Sequence, residues 1–568
     1  MNTSNIPLGS ANAVQFVEVS GREADVMPTK SREALEKRVL SSPADIRLAS
    51  NCHASINCLP SEVLAMILQF VLEPRYSQKE YRRRINHRSL PPWQTSVQFL
   101  EDISVTHVCR QWRSLAEELP LFWTHVTDSP STETATRAFI QRSRLAPLRI
   151  YIRPSPSAFL KSFAGSNGHR LSTLWWEGGR GRNYVGSSLL SASAPELVSL
   201  TLHASSSLPN AGGLTVGPSL LFRGNVPRLR QLSIHGFSWL PTNQFDSLAQ
   251  LHLSDLRYSG LFGDLLSLLT HVPNLVDLVL IDLDDSSGRF ETAYRTKSPQ
   301  IMLKHLRTFL FSAVASTGPL ISHITTGTNT ALWIRDYRIG NRNLSAYEFA
   351  GLPAMPNVTK LTIMQDPPRT AFMCVGPSSG VCIDYHLDWS SDSKGLRSVV
   401  VAELSCPNIE ELWVIERNQG WFYPAFFHSC EMLVLLRALT SLNKIVILEE
   451  SLESLCTALR HAATDLSPEW KLATLHVILH GGRGHASMAL IVSCAPVLRW
   501  LGVENLVVGF LPDYDGPGTV PEDVLRAFNS VKCIRHTKMP TMDIPVTCKT
   551  SPHLLWPSWV DTLSKLPC

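Results

Sequence analysis

Three stretches of the chain bring together residue types that could do chemistry. His480-Gly481-Gly482-Arg483-Gly484-His485 offers glycine-rich flexibility and two imidazoles. It lacks the G-x-x-x-x-G-K-[ST] spacing that lets successive backbone N–H groups and a lysine cradle phosphates, so no phosphate loop is expected. Trp175-Trp176-Glu177-Gly178-Gly179-Arg180-Gly181-Arg182 mixes aromatics with Arg and Gly, as RNA-binding arginine-glycine segments do. It is short and follows a predicted strand, so it reads as a loop. Arg82-Arg83-Arg84, with Arg75, Lys79 and Arg88 nearby, could contact phosphate or direct nuclear import; the expected reading is a solvated insertion.

Cysteine chemistry is equally sparse. Twelve Cys run from Cys52 to Cys568 without a CxxC pair. The nearest pairs, Cys52 with Cys58 and Cys374 with Cys382, have no His or Cys cluster at zinc spacing, so reduced structural thiols and no metal site are expected. There is no G-x-S-x-G elbow, H-E-x-x-H helix or D-x-D-x-D-G loop. No catalytic residue, cofactor or metal is therefore expected, and the chain reads as a binding protein and not an enzyme.

The elements that would carry any such residues follow from length and periodicity. At 568 residues, the chain exceeds one ordinary hydrophobic core, so it must divide or grow by repetition. An apolar share of 44% and a charged share of 18% are those of folded proteins. With 52 basic and 48 acidic residues, the net charge of +4 is too small to gather nucleic acid or anionic membrane over a distance. No stretch reaches the roughly 18 apolar residues of a membrane span, and Met1 to Ser20 lacks a secretory signal pattern, so an intracellular location, cytoplasmic or nuclear, is expected.

Residues 1–50 read as a flexible leader. Leu59-Pro60-Ser61-Glu62-Val63-Leu64, continuing to Leu72, has apolar residues at i, i+3, i+4, with Pro60 and Glu62 suited to a helix start. A polar, basic insertion at about 75–92 follows. A second apolar run from Val97 through Val108, Cys109, Trp112, Leu115 and Ala116 predicts a helix or helix pair that Pro120 stops, and Leu121 to Val126 predicts a short extended segment. A helical domain over 51–130 results.

From Leu145 the period changes to L-x-x-L-x-L. Copies are Leu197, Leu200, Leu202; Leu229, Leu232, Ile234; Leu248, Leu251, Leu253; Leu275, Leu278, Leu280; and Leu306, Phe309, Phe311. Later ones are Val358, Leu361, Ile363; Ile409, Leu412, Val414; Leu442, Ile445, Ile447; Leu472, Leu475, Val477; and Leu498, Leu501, Val503. Leu171, Leu174, Trp176 form a first copy, preceded by an alternating strand at Leu148, Ile150, Ile152. Each unit offers one apolar edge and is too small to stand alone, so units must stack as parallel strands into a solenoid over 145–568. Proline precedes several units, at Pro195, Pro227, Pro273, Pro356, Pro407 and Pro496, where it should end the preceding helix. The long gaps, Ser312 to Pro356 and Gln365 to Cys406, read as loops or insertions projecting from one face. The fold class expected is α/β.

Residues Leu59 to Val126 resemble the F-box-like family. The resemblance rests on Leu59-Pro60-Ser61-Glu62-Val63-Leu64 with Ile67-Leu68, then Val108-Cys109-Arg110-Gln111-Trp112-Arg113-Ser114-Leu115-Ala116, then Pro120-Leu121-Phe122-Trp123. The basic segment between the first two motifs departs from the family's short turn. The resemblance implies a small helical module that docks on a Skp-type adaptor held by a cullin scaffold, with the C-terminal leucine-rich repeats binding a target protein for ubiquitination. The adaptor contacts it implies are Leu59, Pro60, Ile67, Leu68, Val108, Cys109, Trp112 and Leu115. Two other readings stay open: a non-catalytic repeat scaffold whose helical region only caps the solenoid, and a hydrolase whose site is assembled from distant loops.

Overall fold

The structure is a computed structural model and describes residues 55–72, 106–128, 133–152, 163, 167–178, 190–204, 220–285, 300–312, 317–337, 357–366, 369–386, 408–416, 429–462, 471–480, 484–514, 520–549 and 559. The expected leader and basic insertion lie outside these residues, as do Val97 to Val105 and the Gly179 to Arg182 stretch. The chain forms two compact units: the described parts of one are residues 55–72, 106–124 and 139–146, and the other holds 125–128, 133–138 and the rest from 147 onwards.

The smaller unit is built from α1 (Ser61–Leu72), α2 (Arg110–Glu118), a 3-10 turn (Pro120–Trp123) and the end of α3 (Glu133–Arg142). Leu64, Leu68, Trp112, Ala116, Phe122 and Trp123 form its core. Leu64 and Leu68 are one turn apart on α1, and Trp112 and Ala116 one turn apart on α2, so each helix turns one stripe inwards. The extended segment expected at Leu121 to Val126 is divided: the 3-10 turn takes its first residues, and the strand begins at His125.

Among the described residues, the larger unit is mixed α/β with a mostly parallel sheet of 17 strands. In chain order the strands are β1 (His125–Asp128), β2 (Leu148–Ile152), β3 (Leu171–Gly178), β4 (Ser199–Ala204), β5 (Gln231–His235), β6 (Gln250–Arg257) and β7 (Asp277–Asp284), each paired in parallel with the next. Then come β8 (Ile301–Leu303), β9 (Thr308–Ser312), β10 (Ile324–Thr326) and β11 (Ala331–Tyr337); β8 and β10 pair apart from the large sheet. The last are β12 (Lys360–Asp366), β13 (Arg369–Val375), β14 (Gly380–His386), β15 (Glu411–Glu416), β16 (Lys444–Leu448), β17 (Thr474–Leu479), β18 (Asn505–Phe510) and β19 (Ser530–Arg535). Helices α4 (Leu261–Thr270) and α5 (Thr317–Ser322) precede β12. Helices α6 (Ser429–Ala438), α7 (Leu452–Ala462), α8 (Gly484–Trp500) and α9 (Glu522–Ala527) alternate with β15 to β19 and pack one on the next, and α10 (Val546–Lys549) comes last.

The recurring leucines sit in register. Leu200 pairs with Leu232, Leu232 with Leu251, Leu251 with Leu278, and Leu278 with Phe309. Further on, Leu361 pairs with Leu412, Leu412 with Ile445, and Ile445 with Leu475. All are buried, so the repeated apolar edge is the core of one sheet face.

Both long gaps, expected as loops or projecting insertions, contain strands that pair into the large sheet. Between Ser312 and Pro356, β11 pairs with β9 through Ala331, Leu332, Trp333 and Ile334. Between Gln365 and Cys406, β13 and β14 form an antiparallel hairpin whose turn is Gly376-Pro377-Ser378-Ser379, closed by Gly376 N–H donating to the Ser379 carbonyl at 2.9 Å. The hairpin inserts β14 beside β11 and β13 beside β12, which makes the sheet mixed. These strands were hidden because they lack the leading leucine of the repeat and are apolar on both faces.

The copy at Leu498, Leu501, Val503 is also corrected. Leu498 lies in α8, and Pro496 is inside that helix instead of ending the one before, because Met488, Ile491, Cys494 and Leu498 keep a buried stripe past it. The strand is β18, where Leu506 pairs with Leu475, so the true frame is Val503, Leu506, Val508.

A bend recurs at one register position. Gly236, Asp255 and Asp282 have φ of +70°, +51° and +51°, and follow residues His235, Ser254 and Ile281 that are aligned across β5, β6 and β7. Gly and Asp tolerate this left-handed region better than branched residues, and the turn buries the apolar residue that follows: Phe237, Leu256 and Leu283. A Cβ on Gly236 would lie 2.8 Å from the Ala204 carbonyl oxygen. Gly236→Ala is expected to destabilise the protein by about 1–3 kcal/mol, read from the urea midpoint, whereas Asp255→Gly should cost almost nothing.

Candidate functional site

Two surfaces compete as the functional site. On the smaller unit, Pro60 precedes α1 and its carbonyl accepts from Leu64 N–H at 3.0 Å, while Glu62 lies in the first turn. Cys109 is extended ahead of α2, and its carbonyl accepts from Arg113 N–H at 3.1 Å. Trp112 Nε1 donates to Asn57 Oδ1 at 2.6 Å, tying α2 to the segment before α1, and Trp123 Nε1 donates to the Ala116 carbonyl at 2.7 Å. Trp123 packs edge-on against Phe122 and Phe139, with the Arg142 guanidinium 4.4 Å from its ring centre.

This packing sorts the eight residues named from sequence. Leu68, 1% exposed, and Trp112 belong to the core. Leu59, Cys109 and Leu115 are half-buried against that core, and Ile67 is half-buried on α1. Pro60 and Val108 are exposed, Val108 at 53%. Sequence reasoning missed Val63, Met66 and Leu121, exposed at 39%, 67% and 52%. The signal was present: Val63, Met66 and Ile67 stand at i, i+3, i+4 beside the Leu64 and Leu68 stripe, so the apolar surface of α1 is wider than the buried stripe. Large apolar side chains left in water on a small unit mark a contact surface.

The second surface is the sheet face opposite the leucines, formed by the residues between them. Over β1 to β6 it is polar apart from Trp175: Arg149, Tyr151, Glu177, Thr201, His203, Ser233, His235, His252 and Ser254. Tyr151 Oη donates to Glu177 at 2.6 Å, Ser233 Oγ lies 2.8 Å from His252 Nδ1, and His235 Nδ1 lies 2.9 Å from Ser254 Oγ. His203 and His235 stack with ring centres 4.4 Å apart. The Ser–His pairs are sealed, so neither hydroxyl can meet a substrate; they satisfy buried polar groups. Trp175 and Trp176 are buried in β3, which places the aromatic half of the Trp175 to Arg182 stretch in packing.

Over β7 to β17 the same face is apolar and covered by the chain's own end. Met539, Met542, Ile544, Cys548 and Trp559 pack with Val279, Leu310, Trp333, Met373, Trp413 and Val446. Thr547 Oγ1 donates to the Ser378 carbonyl at 2.7 Å, and Lys360 Nζ to the Asp543 carbonyl at 3.4 Å.

No protein-family model matches this chain, and no curated protein matches it. Among the described residues no helix is long and apolar enough to cross a membrane.

Burial holds the histidines of this face neutral. His235 is depressed to about 3 by burial, then by the charge of His203; His125 and His476 are depressed to about 4, chiefly by burial. The unfolded chain protonates these rings near 6.5, the folded chain only below 4, so their stabilisation is present above 6.5 and drains away as pH falls towards 4. His235→Asn, which keeps a hydrogen bond to Ser254, is expected to flatten the decline of the urea midpoint between pH 6.5 and 5.

Proposed function

We propose that this chain is the target-recognition subunit of a Skp/cullin-type ubiquitin ligase. In this reading the smaller unit is an F-box-like module that binds the adaptor, the larger unit is an irregular leucine-rich-repeat solenoid that binds the target protein, and the transfer chemistry belongs to the partners. The observation that carries it is the set of large apolar side chains left exposed on the smaller unit. Val63, Met66, Val108 and Leu121 are exposed although Leu64, Leu68, Trp112 and Trp123 already fill a core. That surface belongs to the same segments that resemble the F-box-like motifs. Burying four such side chains at about 1.5–3 kcal/mol each supports a stable complex after association costs.

Target recognition is assigned to the polar half of the sheet face, where Arg149 is exposed and Tyr151, Glu177 and His203 are partly so. The apolar half is already filled by the chain's own end.

The test is co-purification with a Skp-type adaptor. Val63→Asp/Met66→Asp should weaken adaptor binding at least 100-fold while leaving the thermal unfolding curve of the protein in place. Adaptor binding unchanged in that variant would reject the surface, and no binding by the unmodified protein would reject the function.

A further inference from the structure

The C-terminal ends of β16, β17 and β18 lie side by side, and the residues just beyond them converge. β16 ends at Leu448 and runs into a 3-10 turn, Glu449–Ser451. β17 ends at Leu479, directly before His480, and the chain beyond β18 is held close by Leu511 N–H donating to the Leu479 carbonyl at 3.0 Å. One carboxylate oxygen of Glu449, one of Glu450 and one ring nitrogen of His480 all lie within 4.8 Å of one another. Asp513 adds a fourth group at the rim, its carboxylate 3.9 Å from His480 Nδ1. The turns that follow successive strands therefore meet at this edge.

An ion pair between His480 Nε2 and Glu450 Oε1 explains one oxygen of this cluster. Glu450 Oε2 is enclosed and has no hydrogen-bond partner among the described residues. Glu449 is 7% exposed, and its carboxylate turns towards the same point as that of its chain neighbour. Two adjacent carboxylates brought together away from water repel unless a positive charge lies between them, which is the charge a divalent cation would supply.

We propose that Glu449, Glu450 and His480 bind a divalent cation of the zinc class, with Asp513 placed beside the other ring nitrogen of His480 to orient the imidazole. An imidazole beside carboxylates suits Zn2+, Co2+ or Ni2+, whereas Mg2+ and Ca2+ prefer all-oxygen shells. In such a site His480 binds through a ring nitrogen as the neutral imidazole. The ligands escape motif reading because they come from two strand ends 30 residues apart in sequence, with no local spacing to recognise.

The experiment titrates the full chain with Co2+ as a spectroscopic probe and with Zn2+ by calorimetry, with Mg2+ as control. Expected is one saturable site with a visible d–d band of oxygen and nitrogen ligation and no thiolate charge-transfer band, displaced by Zn2+ and not by Mg2+. Glu450→Gln and His480→Gln should each weaken Zn2+ at least tenfold, with the circular dichroism spectrum unchanged. Absence of the band in the unmodified protein overturns the proposal, as does a thiolate band or equal Zn2+ affinity in both variants. Should a variant misfold, the spectrum of the unmodified protein decides alone.

Discussion

Replacing Trp123 with Ala is expected to unfold the smaller unit. Its indole is 2% exposed, contacts Phe122 and Phe139 edge-on at 5.1 and 5.0 Å, carries the Arg142 guanidinium on its face, and closes the end of α2 through the 2.7 Å bond to Ala116. Truncating a buried Trp costs about 3–5 kcal/mol, and a unit with one small core has little to spare. Hydrogen exchange should report it: the amides of Arg110–Glu118 are expected to lose their protection, while those of β5 to β7 keep theirs. Trp123→Phe retains the ring packing and loses the N–H donor, so it should give a much smaller loss, about 1–2 kcal/mol. Under the proposed function, Trp123→Ala also abolishes adaptor binding, but through loss of shape. The Val63→Asp/Met66→Asp variant removes it with the core intact. Comparing the two separates a residue that builds the surface from one that is the surface.

How much was legible follows from what each residue answers to. Leu200, Leu232, Leu251 and Leu278 were legible because they face one core at a fixed period, and their register is that of the sequence pattern. The hairpin β13–β14 was not, since Phe372, Met373, Cys374 and Val381, Cys382, Ile383 are buried on both faces and so show no alternation. Pro496 misled because proline disfavours a helix interior by a local rule, and the buried stripe of α8 overrides it. At the smaller unit the motif letters located the helices, but not which side chains face out. Leu68 and Trp112 look like Met66 and Val108 on paper, and only the packing of α1 on α2 divides them. The Glu449, Glu450, His480 cluster is a product of sheet topology alone.

Deleting residues 537–568 is expected to have the largest effect on the larger unit. The segment supplies Met539, Met542, Ile544, Cys548 and Trp559 to a core whose other side is the sheet itself, with Trp333, Met373, Trp413 and Val446 all buried beneath. Five buried side chains at about 1.5–3 kcal/mol each amount to something on the order of 10 kcal/mol, comparable with the whole stability of an ordinary domain. The deleted protein should bind a hydrophobic dye strongly and self-associate, because a wide apolar sheet face is left in water. Point variants grade the effect. Trp559→Ala should cost about 3–5 kcal/mol. Gly380→Val attacks the same contact from below, since a Cβ there would stand 2.9 Å from the Trp559 ring and 3.0 Å from the Cys374 carbonyl oxygen. A truncated protein with unchanged dye binding and urea midpoint would mean that the segment rests on the sheet without sealing it. Loss of stability would fix this face as interior, so that any target the chain recognises must be met on the polar strands, where Arg149, Tyr151 and Glu177 remain within reach of solvent.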